Sequence, residues 1–165
     1  YDVVMNNITQ TPERAKKYNF STPYIKSRYA LIVPKDSKIK SLKQINGKKI
    51  VAGTGTNNAD VVKKYHGTLV PNGDFSNSLA MVKQGRAEGT VNSREAWYAY
   101  SKKNSTKGLK MIDVSSEAKP TKISALFNKK DSAIQSSYNQ ALKKLQKDGT
   151  VKKLSQKYFG EDVTE

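Results

Sequence analysis

The stretch Asn7 to Tyr24, NITQTPERAKKYNFSTPY, decides how the rest of this 165-residue chain is interpreted. It follows an apolar run that predicts a short buried strand over Tyr1 to Met5. Thr11 is a good helix N-cap, Pro12 suits the first helical position, and Glu13 complements the positive end of the helix dipole. A helix is therefore expected to begin at Pro12.

Arg14 falls in the first turn of that helix, beside the strand end that carries Asn7 and Thr9. A guanidinium, a hydroxyl and free backbone N–H groups at one strand-to-helix junction favour a small carboxylate. The alternative is an ordinary surface helix with a solvated arginine, because short motifs often occur by chance.

Four motifs in this region follow one another as in a known family. The chain resembles the polar amino-acid-binding proteins of ABC importers, which have the type II periplasmic-binding-protein fold. The resemblance continues downstream and covers essentially the whole sequence. The matching segments are Tyr1-Asp2-Val3-Val4, Asn7-Ile8-Thr9, Thr11-Pro12-Glu13-Arg14 and Phe20-Ser21-Thr22-Pro23-Tyr24.

The resemblance implies an α/β fold of two lobes with mainly parallel sheets. Residues 1–26 are expected to be part of lobe one, 27–120 to form lobe two, and 121–165 to return to lobe one. Hinge crossings are expected near residues 25–29 and 119–123. In the family the opening stretch lies well inside lobe one, so we expect lobe one to be incomplete, with on the order of a hundred residues missing before it.

Composition narrows the function classes. The chain carries 30 Lys+Arg against 14 Asp+Glu, a net charge of +16, which invites comparison with nucleic-acid-binding proteins. The lysines are spread in pairs along the chain, without one basic stripe or an aromatic–basic RNA-binding motif. We therefore expect a solvated basic surface and no specific nucleic-acid partner. Zero cysteines exclude disulfides and thiolate metal sites, and no apolar run approaches the roughly 20 residues of a membrane span.

A second carboxylate-binding segment is predicted in lobe two. The strand Lys49 to Ala52 runs into Gly53-Thr54-Gly55-Thr56, and a helix is expected over Asn57 to Tyr65. In the family such a helix start holds the ligand's α-carboxylate, which assigns ligand contacts to Gly55, Thr56 and Asn57. The alternatives are a phosphate loop, which lacks the Gly-Lys-Ser/Thr ending here, and a structural tight turn.

The end of a later strand departs from the family. Many relatives have an aspartate there that pairs with the ligand's α-ammonium, whereas this chain reads Asn92-Ser93-Arg94-Glu95. Ser93 takes the aspartate's place, and a hydroxyl offers no charge. Three alternatives remain: Glu95 supplies the carboxylate, neutral acceptors hold the ammonium, or the ligand is not an ordinary α-amino acid. If these residues have no ligand role, Glu95 is expected in solvent and Trp97 in the core.

The remaining elements are expected to be scaffold. Ser78 is predicted to cap a helix, and Ile123 to Asn128 to form one strand re-entering lobe one. Two C-terminal helices, capped at Asp131 and at Asp148-Gly149-Thr150, carry apolar stripes that we expect to face the core. The stripe residues are Ile134, Tyr138, Ala141, Leu142 and Leu145 on the first helix, and Val151, Leu154 and Tyr158 on the second.

The sequence therefore predicts the extracellular solute-binding component of an amino-acid ABC importer, which binds a polar amino acid or cystine between two lobes. Thr9 and Arg14 would hold the carboxylate from lobe one, and Asn7, Asn92 and Ser93 are the further ligand-binding candidates. A membrane permease is the expected partner, and an incomplete lobe would favour a domain-swapped or other homodimer. The expected location is the cell surface, as a Gram-positive lipoprotein, or the periplasm, without cofactor or metal.

Two rival functions make different predictions. A basic surface adhesin that binds host matrix or polyanions would keep its affinity in Arg14→Ala. An enzyme on the same fold would need a general acid or base at the site, and the single histidine, His66, lies away from both motifs.

Overall fold

The computed structural model describes residues 1–164, which form two compact units. Unit 1 comprises Tyr1–Ser27 together with the C-terminal segment from Thr121, and unit 2 comprises Arg28–Pro120. The chain thus leaves unit 1 once and returns once, which makes unit 2 a continuous insertion.

Unit 2 is an α/β unit around a five-stranded sheet. Its segment from Ser41 to Asn46 contains a short 3-10 turn, Leu42–Ile45, and Ser41 makes no side-chain capping bond to it. The strands are β4 (Tyr29–Pro34), β5 (Lys49–Ala52), β6 (Thr68–Pro71), β7 (Gly89–Ser93) and β8 (Leu109–Asp113), and the helices are α2 (Asn57–Lys64), α3 (Phe75–Lys83) and α4 (Arg94–Ser101).

The strand order is β6-β5-β7-β4-β8. β5 pairs in parallel with β6 and β7, while β4 pairs antiparallel with β7 and β8, so β4 alone runs against the other four strands. Alternation along the strands supplies both faces: Leu31 and Val33 join the layer that contains α2, and Ala30 and Ile32 join the layer that contains α3 and α4. The sheet is therefore covered on both faces.

Helix α3 begins earlier than the sequence suggested. We predicted Ser78 as its N-cap, but the cap is Asp74, whose carboxylate accepts a hydrogen bond from the Asn77 N–H at 2.7 Å. Ser78 is buried and its hydroxyl donates to the Asp74 carbonyl at 2.8 Å, one turn back. Both residues are good caps, and Asp74 prevails because Phe75 and Leu79 can then both reach the sheet.

Within its described residues, unit 1 holds two small sheets and three helices. The strands are β1 (Val3–Val4), β2 (Tyr18–Phe20), β3 (Ile25–Ser27), β9 (Thr121–Ile123) and β10 (Leu126–Asn128), and the helices are α1 (Pro12–Lys17), α5 (Ser132–Lys147) and α6 (Thr150–Phe159). One sheet has the order β1-β10-β2 and the other pairs β3 with β9.

The predicted strand Ile123 to Asn128 is wrong in detail, because it is two strands that belong to different sheets. β9 pairs with β3 and β10 lies between β1 and β2. Ser124 and Ala125 between them are fully buried, and the Ala125 N–H donates to the Ser21 hydroxyl at 2.9 Å. The chain turns from one sheet to the other through this buried pair.

The C-terminal helices form as predicted, but most residues of their apolar stripes are not buried. Within α5 only Leu142 is buried, whereas Ile134 and Leu145 are exposed, and Asp131 makes no side-chain capping bond. Within α6 the buried residue is Ser155, while Leu154 and Tyr158 are 46% and 61% exposed. The expected strand at the start of the chain is similarly reduced to Val3–Val4, both exposed.

Candidate functional site

The candidate site of unit 2 lies where parallel strands β5 and β7 end. From β5 the chain passes through α2 to β6 on one side, and then through α3 to β7 on the other side. The two helices lie on opposite faces of the sheet. Such a switch in strand order opens a crevice at the carboxyl ends of the strands, which is where ligands bind in open α/β sheets. Both predicted lobe-two segments, Gly53–Asn57 and Asn92–Ser93, are at this edge.

Thr56 shapes the turn between β5 and α2. Its hydroxyl donates to the Gly53 carbonyl at 2.6 Å and accepts from the Ala59 N–H at 3.3 Å, which makes it the N-cap of α2. Gly55 has a positive φ of 72°, the left-handed conformation that glycine adopts readily. The sequence therefore forms this turn without any ligand.

The turn leaves particular N–H groups for an anion. The Thr56 N–H already donates to the Gly53 carbonyl at 3.3 Å, inside the turn. Within residues 1–164, the N–H groups of Gly55, Asn57 and Asn58 donate no hydrogen bond. Two of the three predicted N–H groups, those of Gly55 and Asn57, are thus available to a ligand. The Asn58 N–H is a further donor that the sequence motif did not indicate.

Asn92 and Ser93 end β7 and start α4. The Asn92 side-chain oxygen accepts from the Ser93 N–H at 2.8 Å, and the Ser93 hydroxyl accepts from the Ala96 N–H at 3.2 Å. Each of these oxygens has a second lone pair, and the Ser93 hydroxyl proton can still be donated. Ser93 therefore caps α4 and keeps one donor and one acceptor site for a ligand.

Glu95 and Trp97, the next residues of α4, are both buried. Glu95 is only 8% exposed, so the expectation of a solvated carboxylate is wrong: residue 95 faces inward from the first turn of α4. Trp97 is 9% exposed and packs in the layer with Leu79 and Val82, which confirms its structural role.

Charged and phenolic groups that the sequence motifs did not indicate lie at the same edge of the sheet, where β5 and β7 end. Arg28 pairs with Asp113 at 3.9 Å. Burial by itself raises the pKa of Asp113, but the hydroxyl and N–H of Ser115, together with Arg28 and Arg94, outweigh it and hold the pKa below its usual value. The two arginines bring positive charge to the sheet edge. Only strand pairing reveals this cluster, because its members are distant in sequence.

Tyr29 adds a neutral donor at this edge. It is the register partner of Ser93 in the β4–β7 ladder. Burial, with a smaller contribution from the Asp60 carboxylate, raises the pKa of the Tyr29 phenol, so the hydroxyl stays protonated at neutral pH.

Unit 1 brings together two of its three predicted residues. Thr9 forms an antiparallel bridge with Ile123, which fixes this segment against β9. The Thr11 hydroxyl accepts from the Arg14 N–H at 3.2 Å and caps α1, as predicted. The Arg14 Nη1 donates to the Thr9 carbonyl at 2.9 Å, and the side chain is exposed. A guanidinium has five N–H donors, so Arg14 is positioned by Thr9 and keeps donors for a carboxylate.

Asn7, the third candidate of unit 1, is exposed and has a φ of 49°. Asparagine tolerates this conformation better than most residues. Asn7 therefore lies in a bend that follows β1.

Other features lie elsewhere. A cavity of about 480 Å³, lined by Pro34, Asp36, Lys38 and Glu88 among others, sits at the opposite end of the unit 2 sheet. His66 is also at that end, since its carbonyl accepts from the Gly47 N–H just before β5. Among residues 1–164, no group of His, Cys, Asp and Glu is arranged to hold a metal ion. No helix of that range is sufficiently long and apolar to cross a membrane.

Comparisons with known proteins agree on the family. Residues 1–161 match the family model of bacterial extracellular solute-binding proteins, family 3. A probable amino-acid ABC transporter-binding protein of Haemophilus influenzae is 33% identical over 166 residues, covering 100% of this chain and 64% of its own. The L-cystine-binding protein TcyJ of Bacillus subtilis is 33% identical over 172 residues, covering 99% and 63%.

Solved structures show the same relationship. A structure from work on glutathione import through GshT and the cystine importer TcyBC of Streptococcus mutans has a TM-score of 0.86 and 30% identity. It covers 100% of this chain and 72% of its own. The neighbours have the type II periplasmic-binding-protein fold, as predicted. The chain spans slightly less than two thirds of the curated relatives that it matches. It belongs to the bacterial extracellular solute-binding proteins, family 3.

Proposed function

We propose that this chain is the solute-binding component of an amino-acid ABC importer and takes a polar amino acid or cystine as its ligand. The observation that carries this function is the Thr9–Arg14 pair, in which an exposed guanidinium is oriented by a backbone carbonyl at 2.9 Å. Family membership and relatives named for amino-acid and L-cystine binding support it. None of these relatives is named as an enzyme or an adhesin.

The proposed chemistry is recognition of an α-carboxylate. Arg14 supplies charge and paired donors from unit 1, and Thr9 lies beside it. The N–H groups of Gly55 and Asn57 supply neutral donors from unit 2, at the N-terminus of α2, which Thr56 caps. Hinge closure near residues 25–29 and 119–123 would follow ligand binding. The closed receptor would deliver its ligand to a membrane permease, from the cell surface or the periplasm.

The ligand's amino group would be held by uncharged groups of the protein. Asn7, Asn92 and Ser93 are its proposed neutral acceptors, and the last two keep one lone pair each. Such acceptors bind an ammonium more weakly than a carboxylate does. We therefore expect N-acetylation of the ligand to cost less affinity here than in a receptor with an aspartate at position 93.

The test is calorimetric titration with the standard amino acids, cystine, glutathione and their N-acetyl forms. Hydrogen bonds to charged groups contribute about 1.5–3 kcal/mol, so Arg14→Ala should weaken binding roughly 10- to 150-fold. Arg86→Ala is the matched control, because Arg86 is an exposed arginine at the end of α3, away from the sheet edge of the site. Equal affinities in the two variants would reject the proposed role of Arg14.

The adhesin alternative predicts that Arg14→Ala has no specific effect on binding. A polyanion such as heparin would bind the +16 chain with an affinity that falls steeply with salt and is the same in Arg14→Ala and Arg86→Ala. The relatives give that alternative no support.

A further inference from the structure

A cavity of about 480 Å³ lies at the end of the unit 2 sheet opposite the candidate amino-acid site. Its walls come from three segments: residues 34–39 continue from β4, residues 44–48 lead into β5, and residues 85–88 lead into β7. The three strands are neighbours in the order β5-β7-β4, which brings the segments together. Binding sites for small molecules have volumes of about 300–1,000 Å³, so this cavity is large enough to hold one.

Hydrogen bonds fix the walls of the cavity in place. The Ser37 carbonyl accepts from the Lys110 Nζ at 2.7 Å, which ties the first segment to β8. Glu88 joins the other two segments, because its carboxylate accepts from the Lys49 N–H at 2.7 Å and pairs with the Lys48 Nζ at 3.1 Å. The cavity therefore forms without a ligand, and a ligand would not have to order it.

The side chains that line the cavity have more hydrogen-bond donors than the protein itself uses. The Lys48 ammonium has three N–H donors, of which the pair with Glu88 occupies one. The Gln44 Oε1 accepts from the Lys40 N–H at 2.6 Å, so both donors of the Gln44 Nε2 group remain for a ligand. Among the described residues, the Lys38 ammonium has no hydrogen-bond or ion-pair partner. Donors from two of the three segments are therefore available to a ligand.

The third segment supplies a backbone donor, the Ala87 N–H. Ala87 lines the cavity and is 4% exposed, and within residues 1–164 its N–H donates no hydrogen bond. The N–H groups of Arg86 and Glu88, on either side of it, both donate to backbone carbonyls. Buried N–H groups in native proteins nearly always have a partner, in the protein or in ordered water. An acceptor inside the cavity would satisfy the Ala87 N–H.

The charge around the cavity favours an anion. The lining includes the Lys38 and Lys48 ammonium groups and the Asp36 and Glu88 carboxylates, and Glu88 is already paired with Lys48. The residues next to these segments' lining positions in the chain add five exposed cations and no further carboxylate. Seven cations therefore surround two carboxylates, which gives a positive potential at the cavity. The five are Lys35, Lys40, Lys43, Lys49 and Arg86.

We propose that this cavity binds a phosphate group, at a site separate from the candidate amino-acid site. A phosphate group has several strong acceptor oxygens in a tetrahedral arrangement, so it can accept from all three segments at once. The donors would be Lys38, Lys48 with Gln44, and the Ala87 N–H. A carboxylate has two oxygens in one plane and reaches fewer of these donors. The rest of the cavity has room for an organic group bonded to the phosphate.

The test is titration of the isotope-labelled chain with inorganic phosphate and with glycerol phosphate at constant ionic strength, followed by NMR. We expect saturable shifts of the Ala87 N–H and the Gln44 side-chain amide resonances, because both groups would donate to the ligand. Tighter binding of glycerol phosphate would support a phosphate ester as the ligand, and equal or tighter binding of inorganic phosphate would support the free ion. No saturation with either probe would overturn the proposal.

Three variants separate a defined site from general attraction to the basic surface. Lys38→Gln removes a cation of the lining and should raise the Kd about three- to fivefold. Lys63→Gln is the matched control, because Lys63 is exposed on α2 and does not line the cavity. Asp36→Asn should lower the Kd, since it removes a like charge from an anion site. Equal effects of the two lysine variants, or weaker binding in Asp36→Asn, would overturn the proposal.

Discussion

Gly89 is the position where a single methyl group should disturb the unit 2 site most directly. It begins β7, the strand that carries Asn92 and Ser93 to the sheet edge, and it is paired in parallel with Ile50. A Cβ at residue 89 would lie 3.0 Å from the Ile32 carbonyl oxygen, 3.1 Å from the Val33 Cγ1 and 3.4 Å from the Ile50 Cδ1. The first of these neighbours is backbone in the adjacent strand β4, so it cannot rotate away.

The expected cost follows from those distances. Overpacking a tight core costs about 1–3 kcal/mol. The reduced entropy of the unfolded chain offsets about 0.4–1 kcal/mol of it, because Gly89 has no positive φ to forbid alanine. Gly89→Ala should therefore destabilise unit 2 by about 1–2 kcal/mol, and each kcal/mol lowers the Tm of a unit of this size by about 4–8 °C.

The assay is urea unfolding followed by the fluorescence of Trp97, the single tryptophan, which lies in the unit 2 core and so reports on that unit. Gly73→Ala is the matched control: a Cβ there meets nothing within 4 Å and no positive φ is involved. We expect that variant to be as stable as the wild type or slightly more stable. The packing argument fails if the two alanine variants unfold within about 0.5 kcal/mol of each other.

Two further outcomes concern polar contacts. Glu88 accepts a hydrogen bond from the Lys49 N–H at 2.7 Å, which lowers the pKa of its carboxyl below the unfolded value. Its contribution to stability is thus present at neutral pH and lost as the pH falls through the lowered pKa, so the urea midpoints of wild type and Glu88→Gln should converge in acid. A constant difference at all pH values would contradict this. Ser155 is buried, donates to the Glu161 carbonyl at 2.6 Å and accepts from the Val163 N–H at 2.9 Å. Ser155→Ala should lower the free energy of unfolding by about 1–3 kcal/mol and speed amide hydrogen exchange at Val163. Unchanged exchange at Val163 would show that the two hydrogen bonds of the Ser155 hydroxyl do not hold this segment.

The strands and helix starts of unit 2 were easier to predict because short, continuous segments of the sequence specify them. The run Tyr29 to Val33 and the strand Lys49 to Ala52 are continuous apolar segments bounded by turn residues, which is the pattern of buried strands. The helix start at Thr56 is equally local, since one hydroxyl caps the helix that follows it. Neither the pairing of β4 with β7 nor the Arg28–Asp113 contact could be predicted, because both join segments that are distant in sequence.

The failures in unit 1 have a different physical cause. A periodic apolar stripe predicts that a face will be buried, and Ile134, Leu145, Leu154 and Tyr158 satisfy the period yet remain exposed. The period fixes which side of a helix is apolar, but only packing against another element buries that side. Glu95 is the reverse case: a charged residue in a first helical turn is usually solvated, and only the packing of α4 buries it.

The difference in hydrophobic burial between unit 1 and unit 2 affects the expected ligand affinity. The unit 2 donors sit on a sheet covered on both faces, whereas the Thr9–Arg14 pair belongs to a unit with five buried hydrophobic residues. A ligand that needs Arg14 must bind the fraction of molecules in which unit 1 is ordered, and its apparent Kd rises as that fraction falls.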